Sequence, residues 1–323
     1  MRRRVVIAGL LSAVFAPSIA SGQAPQRPAR LAFLTSGANE SRPEFQVFRA
    51  RLRELGWVEG SNLMLTFHLA RGSGTERLAP LAREIAESGA DVVLADGRVA
   101  TLAMAAASQT IPIVSIMGLD PTTLGLAASL ARPGGNVTGI TIYSESLNPK
   151  RLEFLRELAP SARRIGVVFA SSDDAAQRTV LEAGATLGFD MRRLFIDSLA
   201  KVAHVLAPSV LSEIDAVLVS SDALLDASPQ PVVAQINAAR KPAIYPSRAY
   251  ADVGGLASYG VDLAGAFQRL AGYVDRVLRG QNPAEMPIER YERLELVINL
   301  RIARDLALSL PDAFFARADE VIE

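Results

Sequence analysis

Short polar stretches, each set just after an apolar run, carry most of the chemistry open to this chain of 323 residues. Thr35-Ser36-Gly37 offers hydroxyl and backbone N–H donors that can hold a carboxylate, or that simply cap a helix. Asp96-Gly97-Arg98 places a cation in a first helical turn, which is disfavoured by roughly 0.3–1 kcal/mol. Arg98 therefore calls for an acidic neighbour, for which Asp96 would serve, or for an anionic ligand. Asp120, ahead of Pro121, can accept from an ammonium or hydroxyl, or start a turn. Ser171 in Ser171-Ser172-Asp173-Asp174, and Ser221 and Asp222 in Ser220-Ser221-Asp222, offer the same chemistry further along, with helix capping as the plainer use. Tyr143, Tyr245 and Tyr259 lie at strand ends or crossings, from which a ring can cover an apolar solute or pack into a core. Together these residues suit holding a small polar molecule.

Changing such a molecule finds little support. The chain has no G-x-S-x-G elbow, no phosphate loop ending in G-K-[ST], and no G-x-G-x-x-G after a strand. His68 and His204 are its only histidines; they fall in different halves and lack a second ligand at metal spacing, so both read as structural. No catalytic residue, metal site or cofactor is expected. Lys plus Arg and Asp plus Glu number 34 each, and no basic stripe interleaved with aromatics appears, which excludes a phosphate-backbone footprint and hence nucleic acid. With no cysteine there is no disulfide framework, no thiolate metal site and no lipid-anchoring thiol.

The elements that must position these stretches alternate between buried strands and amphipathic helices. Strands are expected at Leu31–Leu34, Leu63–Phe67, Val92–Ala95 and Ile111–Val114, with helices over Glu44–Leu55 and Glu76–Glu87. After residue 140 a second round follows: strands at Ile165–Phe169, Leu194–Ile196, Ala216–Val219 and Ala243–Tyr245, and helices at Arg151–Leu158, Ala175–Leu187 and Val232–Arg240. Landmarks recur between the rounds in the same order. Leu55-Gly56-Trp57 answers Leu187-Gly188-Phe189, Asp91-Val92-Val93-Leu94 answers Asp215-Ala216-Val217-Leu218, and Pro112-Ile113-Val114 answers Pro242-Ala243-Ile244. The fold class is therefore α/β, with two Rossmann-like lobes built on parallel sheets.

The remaining elements, Leu256–Tyr259, Leu263–Leu278 and Leu296–Ile298, are too few for a third domain and must complete the earlier sheets. This assigns residues 29–140 plus 251–284 to lobe 1 and 141–250 plus 285–323 to lobe 2, joined by a multi-strand hinge. Ligands of open parallel sheets sit beyond the carboxyl ends of the strands, so two facing sheets make a cleft that closes by hinge motion. That is the design of periplasmic binding proteins.

Residues 1–20 fit export. Basic Met1-Arg2-Arg3-Arg4, an apolar stretch Val5–Ile19 broken by Pro17, and the small residues of Ser18-Ile19-Ala20 make a signal peptide, too short for the roughly 20 residues a membrane-spanning helix needs. A periplasmic location is expected.

The segment from Leu52 to Asn62, with Leu55-Gly56-Trp57-Val58-Glu59-Gly60 at its centre, resembles the L-R-E-L-G-Y-V-E-G-x-N signature of the ABC-transporter substrate-binding protein family, whose relatives include tryptophan-type amino-acid binders. Asp120-Pro121 with Gly125 through Gly139, Gly254 through Gly260, Tyr273-Val274-Asp275, Leu296 through Leu300 and Arg317 through Ile322 are similar to further stretches of that family. The resemblance spans nearly the whole mature chain and implies a type I periplasmic binding fold. It further implies an exported, monomeric component of an ABC uptake transporter, delivering a small organic solute such as an amino acid or related anion to a membrane permease with a cytoplasmic ATPase. A periplasmic sensing module and, behind it, a periplasmic hydrolase are the alternatives. The resemblance also makes Asp222 the preferred ammonium partner, since an aspartate is frequent there. Asp96-Gly97-Arg98 departs from the family's G-T-P-A-like loop.

Overall fold

The computed structural model describes residues 27–37, 40, 42–71, 75–142, 144–170, 174–226 and 228–323. The expected signal peptide, Tyr143 and Ser171 lie outside them. The described strands, in chain order, are β1 Ala29–Thr35, β2 Leu63–Leu69, β3 Val92–Asp96, β4 Ile113–Met117, β5 Val137–Thr141, β6 Arg164–Phe169 and β7 Asp190–Phe195. After these come β8 Ala216–Val219, β9 Ala243–Tyr245, β10 Ala257–Val261, β11 Glu289–Arg290, β12 Leu294–Asn299 and β13 Glu320–Ile322. They form two sheets, in the orders β11-β5-β4-β3-β1-β2 and β13-β12-β10-β9-β8-β6-β7. Every pairing is parallel except that of β10 with β12.

Apolar runs rather than strict alternation define the central strands because both faces of each sheet are covered. In the first sheet Leu31, Phe33, Val92, Leu94 and Ile116 face the helices Pro43–Glu54 and Leu263–Leu278, meeting Phe45, Phe48, Leu52, Phe267 and Leu270. Their neighbours Ala32, Leu34, Val93 and Ala95 point the other way, onto Leu78, Ala82, Ile85 and Met104 of the helices Leu78–Glu87 and Arg98–Ala107. The second sheet repeats the scheme with two further clusters, one around Val167, Leu218 and Phe314 and the other around Val168, Val217 and Tyr245.

The repeat seen in the sequence reappears as topology. Sheet one runs β2-β1-β3-β4-β5 and sheet two β7-β6-β8-β9-β10, the same spatial order in each. Each has a switch point, between β1 and β3 and between β6 and β8, where the chain winds off in opposite directions and leaves a crevice at the strand ends.

Three strands escaped the sequence reading: Val137–Thr141, Glu289–Arg290 and Glu320–Ile322. The first is broken in pattern by Gly139, whose φ is +128° and whose place lies so close to β4 that a Cβ would stand 2.1 Å from the Ser115 carbonyl oxygen. Gly139→Ala is expected to lower stability by about 3 kcal/mol through overpacking and backbone strain. A shift of the urea midpoint checks it, and an unchanged midpoint would show that β4 and β5 can move apart freely.

The tail also distributes differently from expectation. Strand 257–261, assigned with 251–284 to lobe 1, pairs with β9 and β12 in the second sheet. The helix that follows packs on helix Pro43–Glu54 of lobe 1. Conversely, Glu289–Arg290 joins β5 in the first sheet, although 285–323 was assigned to lobe 2. The chain thus crosses between sheets after β5, after β10 and after β11. Asp262 ties the last two crossings together: its backbone N–H donates to the Arg293 carbonyl at 3.0 Å, while its carboxylate caps the 263–278 helix at the Gly265 N–H, 2.9 Å away.

Candidate functional site

The two switch points meet at a cavity of about 80 Å³. Lobe 1 contributes Ser36 after β1, Asp96, Gly97 and Arg98 after β3, and Ile116 and Gly118 from β4 and its loop, with Arg42 and Phe267 from the two helices above. Lobe 2 contributes Ser221, Asp222 and Asp226 after β8.

Arg42 organises the lobe-1 wall. It sits immediately before Pro43, which starts a helix readily because proline has no N–H to leave unpaired. Its buried guanidinium reaches Asp96 and Glu44 at 2.6 Å each and lies over the Phe267 ring, 5.6 Å from the centroid. Burial alone would pull the guanidinium pKa down, but Asp96 and Glu44 outweigh it and hold it above its ordinary value. The same Asp96 carboxylate accepts from the Thr35 hydroxyl at 3.0 Å. The acid that the sequence set beside Arg98 is thus held by an arginine 54 residues upstream. Gly97 makes the turn into the 98–107 helix with φ +90°, a conformation that glycine adopts without the cost a side chain would bring.

The lobe-2 wall is acidic. Asp222 accepts from the Leu224 N–H at 2.8 Å, and Asp226 from the Ser221 hydroxyl at 3.1 Å. The other Asp226 oxygen, Oδ1, is buried and makes no hydrogen bond. Burial raises the Asp222 pKa; the Leu224 N–H and Arg98 across the cleft oppose it, and Asp96 adds to it. Asp226 is pushed up to about 7, by burial first and by Asp222 second. Arg151 lies behind this wall, fully buried, donating to the carbonyls of Tyr259 and Pro246 and to Asn148 Oδ1, while Asn148 donates to Ser220. Desolvation brings its pKa down to about 10.

Of the candidates read from the sequence, Ser36, Asp96, Gly97, Arg98, Ser221 and Asp222 are brought to this one cavity. Gly37 is close by in chain but directs its N–H to Thr35 Oγ1 and its carbonyl to the Arg71 N–H. Asp120 accepts from the N–H and the hydroxyl of Thr122, the turn that an Asp-Pro start allows. Tyr245 is sealed in the lobe-2 core, stacked on Tyr250 at 5.0 Å, and Tyr259 packs edge-on against Phe154 at 4.9 Å. Neither ring lines the cavity, because β9 and β10 sit inside the second sheet and direct those side chains into its flanking cores.

Arg42, Asp226 and Phe267 were missed. Asp226 carried a readable signal, lying one helical turn after Asp222 and therefore on the same side. Arg42 and Phe267 carried none, since only tertiary packing brings their helices to the cleft. Among the described residues no group of three His, Cys, Asp or Glu side chains could hold a metal ion, and no helix is long and apolar enough to cross a membrane.

A model of the family described as ABC transporter substrate binding protein matches residues 43–322. A tyrosine-binding protein of Clostridioides difficile is 25% identical over 280 residues, covering 84% of this chain and 80% of that protein. Among solved structures, the ABC domain in complex with L-Trp from Streptococcus pneumonia superposes with a TM-score of 0.77 at 24% identity, covering 91% of this chain and all of that one. A conserved domain protein from Vibrio cholerae gives a TM-score of 0.78 at 23% identity, with 92% and 100% covered. The fold they share is that of type I periplasmic binding proteins.

Proposed function

This chain belongs to the ABC transporter substrate binding protein family, and from that membership we propose that it is the exported, solute-capturing component of an ABC uptake system. Its cleft closes on a small organic molecule with an amino-acid-like pair of opposite charges and delivers it, chemically unchanged, to a membrane permease driven by a cytoplasmic ATPase. The observation that carries this reading is the meeting of Arg98 and Asp222, from the switch points of opposite lobes, in the lining of one cavity. Arg98 and the N-terminus of the 98–107 helix suit a carboxylate, and Asp222 suits an ammonium. A solute bridging the two charges stabilises the closed form, because only that form offers both partners. The tyrosine-binding relative and the L-Trp complex make an amino acid the first class of ligand to try. The leader read at Met1–Ala20 supports work in the periplasm by a single, monomeric chain.

Native mass spectrometry of protein taken from its own host, followed by calorimetry with the recovered molecule, tests the reading. One ligand per chain is expected, and at a ligand concentration of 100 times Kd the fold should gain about 2.7 kcal/mol, read as a rise in Tm. Recovery of a converted product would move the protein to the hydrolases. Copurification with a membrane kinase, with no solute retained, would make it a sensor.

A further inference from the structure

We propose that Arg151 is a positioning residue for the lobe-2 wall of the cleft: acting through Asn148 and Ser220, it fixes the Ser221-Asp222 segment against the ends of β9 and β10. The inference rests on the binding-protein reading and identifies what holds the second wall of that cleft in place. Ser221 and Asp222 line the cavity, whereas Ser220, Asn148 and Arg151 are buried behind it. Arg151 therefore acts on a solute only through the segment it holds.

The Arg151 guanidinium donates from Nε to the Tyr259 carbonyl at 2.7 Å, from Nη2 to the Pro246 carbonyl at 3.3 Å and from Nη1 to Asn148 Oδ1 at 2.7 Å. Tyr259 belongs to β10, which leads into the crossing at Asp262, and Pro246 directly follows β9. One side chain can reach both carbonyls because Gly260 lets β10 press against the loop after β9. A Cβ at Gly260 would stand 1.7 Å from the Pro246 carbonyl oxygen. Asn148, one helical turn before Arg151, passes the link on, donating from Nδ2 to Ser220 Oγ at 3.2 Å. Ser220 in turn follows β8, and its N–H reaches the Val168 carbonyl of β6 at 3.0 Å. β6, β8, β9 and β10 are thus tied together directly behind the residues that line the cavity.

Position explains this arrangement better than stability does. Burial pulls the Arg151 pKa down to about 10, so the charged group is desolvated at a cost, and apolar side chains can often replace buried ions without loss of stability. What an apolar side chain cannot do is reach three acceptors in fixed directions, which the planar five-donor fork of arginine does. The other crossing is built in the same way. β5 and β10 hold equivalent places in the two sheets, and each leads across to a helix of the opposite lobe, 148–158 and 263–278 respectively. The Asp262 carboxylate fixes the start of the second helix, as Asn148 and Arg151 fix the first turn of the other.

Hydrogen exchange, and calorimetry with L-tyrosine and L-tryptophan, on three variants of the mature chain test the inference. Asn148→Ala cuts the link to Ser220 but leaves the Arg151 grip on β9 and β10, and Ser220→Ala cuts the same link from the other side. Asn148→Asp keeps it, since a carboxylate accepts from both the guanidinium and the Ser220 hydroxyl. In the two alanine variants the amides of residues 221–226 should exchange about 3- to 10-fold faster, the worth of one hydrogen bond, with the strands of both sheets unchanged. Affinity for the amino acid that the wild type takes up should fall by about the same factor, and the double alanine variant should lose no more than either single one. Asn148→Asp should bind as the wild type does. A uniform rise in exchange with a lower Tm and unchanged affinity would make the relay a structural support only. Unchanged exchange at 221–226, or faster exchange there with unchanged affinity, also overturns the inference, and all three results leave the binding-protein reading standing. Wild-type protein that takes up neither amino acid counts against an aromatic amino acid as the solute, and the exchange of residues 221–226 then decides the inference by itself.

Discussion

Asp222→Ala is expected to weaken solute binding by at least about 30-fold, with little change in Tm. In the proposed complex the ammonium of the solute is desolvated and Asp222 is its first anionic partner. Truncating one side of a buried, hydrogen-bonded charge pair costs about 2–5 kcal/mol, because the other charge is left unpaired. Stability behaves differently. Burial raises the folded-state pKa of Asp222, so at neutral pH its ionised form is a net cost to the closed fold, and removing the group relieves that cost. The loss of its hydrogen bond from the Leu224 N–H works the other way. Calorimetric titration beside a thermal melt separates the two effects. Undiminished affinity would remove Asp222 from the binding surface, and a large fall in Tm would make it a structural residue.

Arg42→Met should have the reverse signature, a heavy loss of stability before any question of ligand arises. The methionine keeps much of the apolar stem over Phe267 but leaves Asp96 and Glu44 buried without the guanidinium that both of them contact. Breaking a buried pair from one side costs about 3–5 kcal/mol. The penalty belongs to the abandoned carboxylates, so adding Asp96→Asn should restore part of it, since the amide can still accept from the Thr35 hydroxyl. Equilibrium unfolding of the single and double variants makes the comparison. If Arg42→Met unfolds at the wild-type midpoint, the triad is not a structural support of lobe 1.

The Asp96 loop shows how far a linear reading reaches. Arg98 in a first helical turn required a nearby anion or an anionic ligand, and the loop lines the cavity as its position after β3 implies. The sequence nevertheless offered Asp96 to Arg98, because a neighbour two positions away is visible and one 54 positions away is not. The same limit applies to the tyrosines. Tyr245 and Tyr259 stand at strand ends in the sequence, but whether such a ring turns into a core or out to a cleft depends on which elements cover each face of the sheet. Both faces of the second sheet are covered, and the rings went inward.

Period and composition alone determined that this chain is α/β, that it repeats, and that its polar loops follow buried strands, because these follow from local burial patterns that recur every few residues. The family resemblance was carried by contiguous segments and was equally legible. Only the tertiary structure decided that strand 257–261 belongs to the second sheet, that Arg42 holds Asp96, and that Asp226 joins Asp222 at the rim. Each of these depends on which distant segments share a hydrogen-bond ladder or a desolvated contact. That choice is made by the free energy of the whole packed arrangement, which no stretch of residues contains by itself.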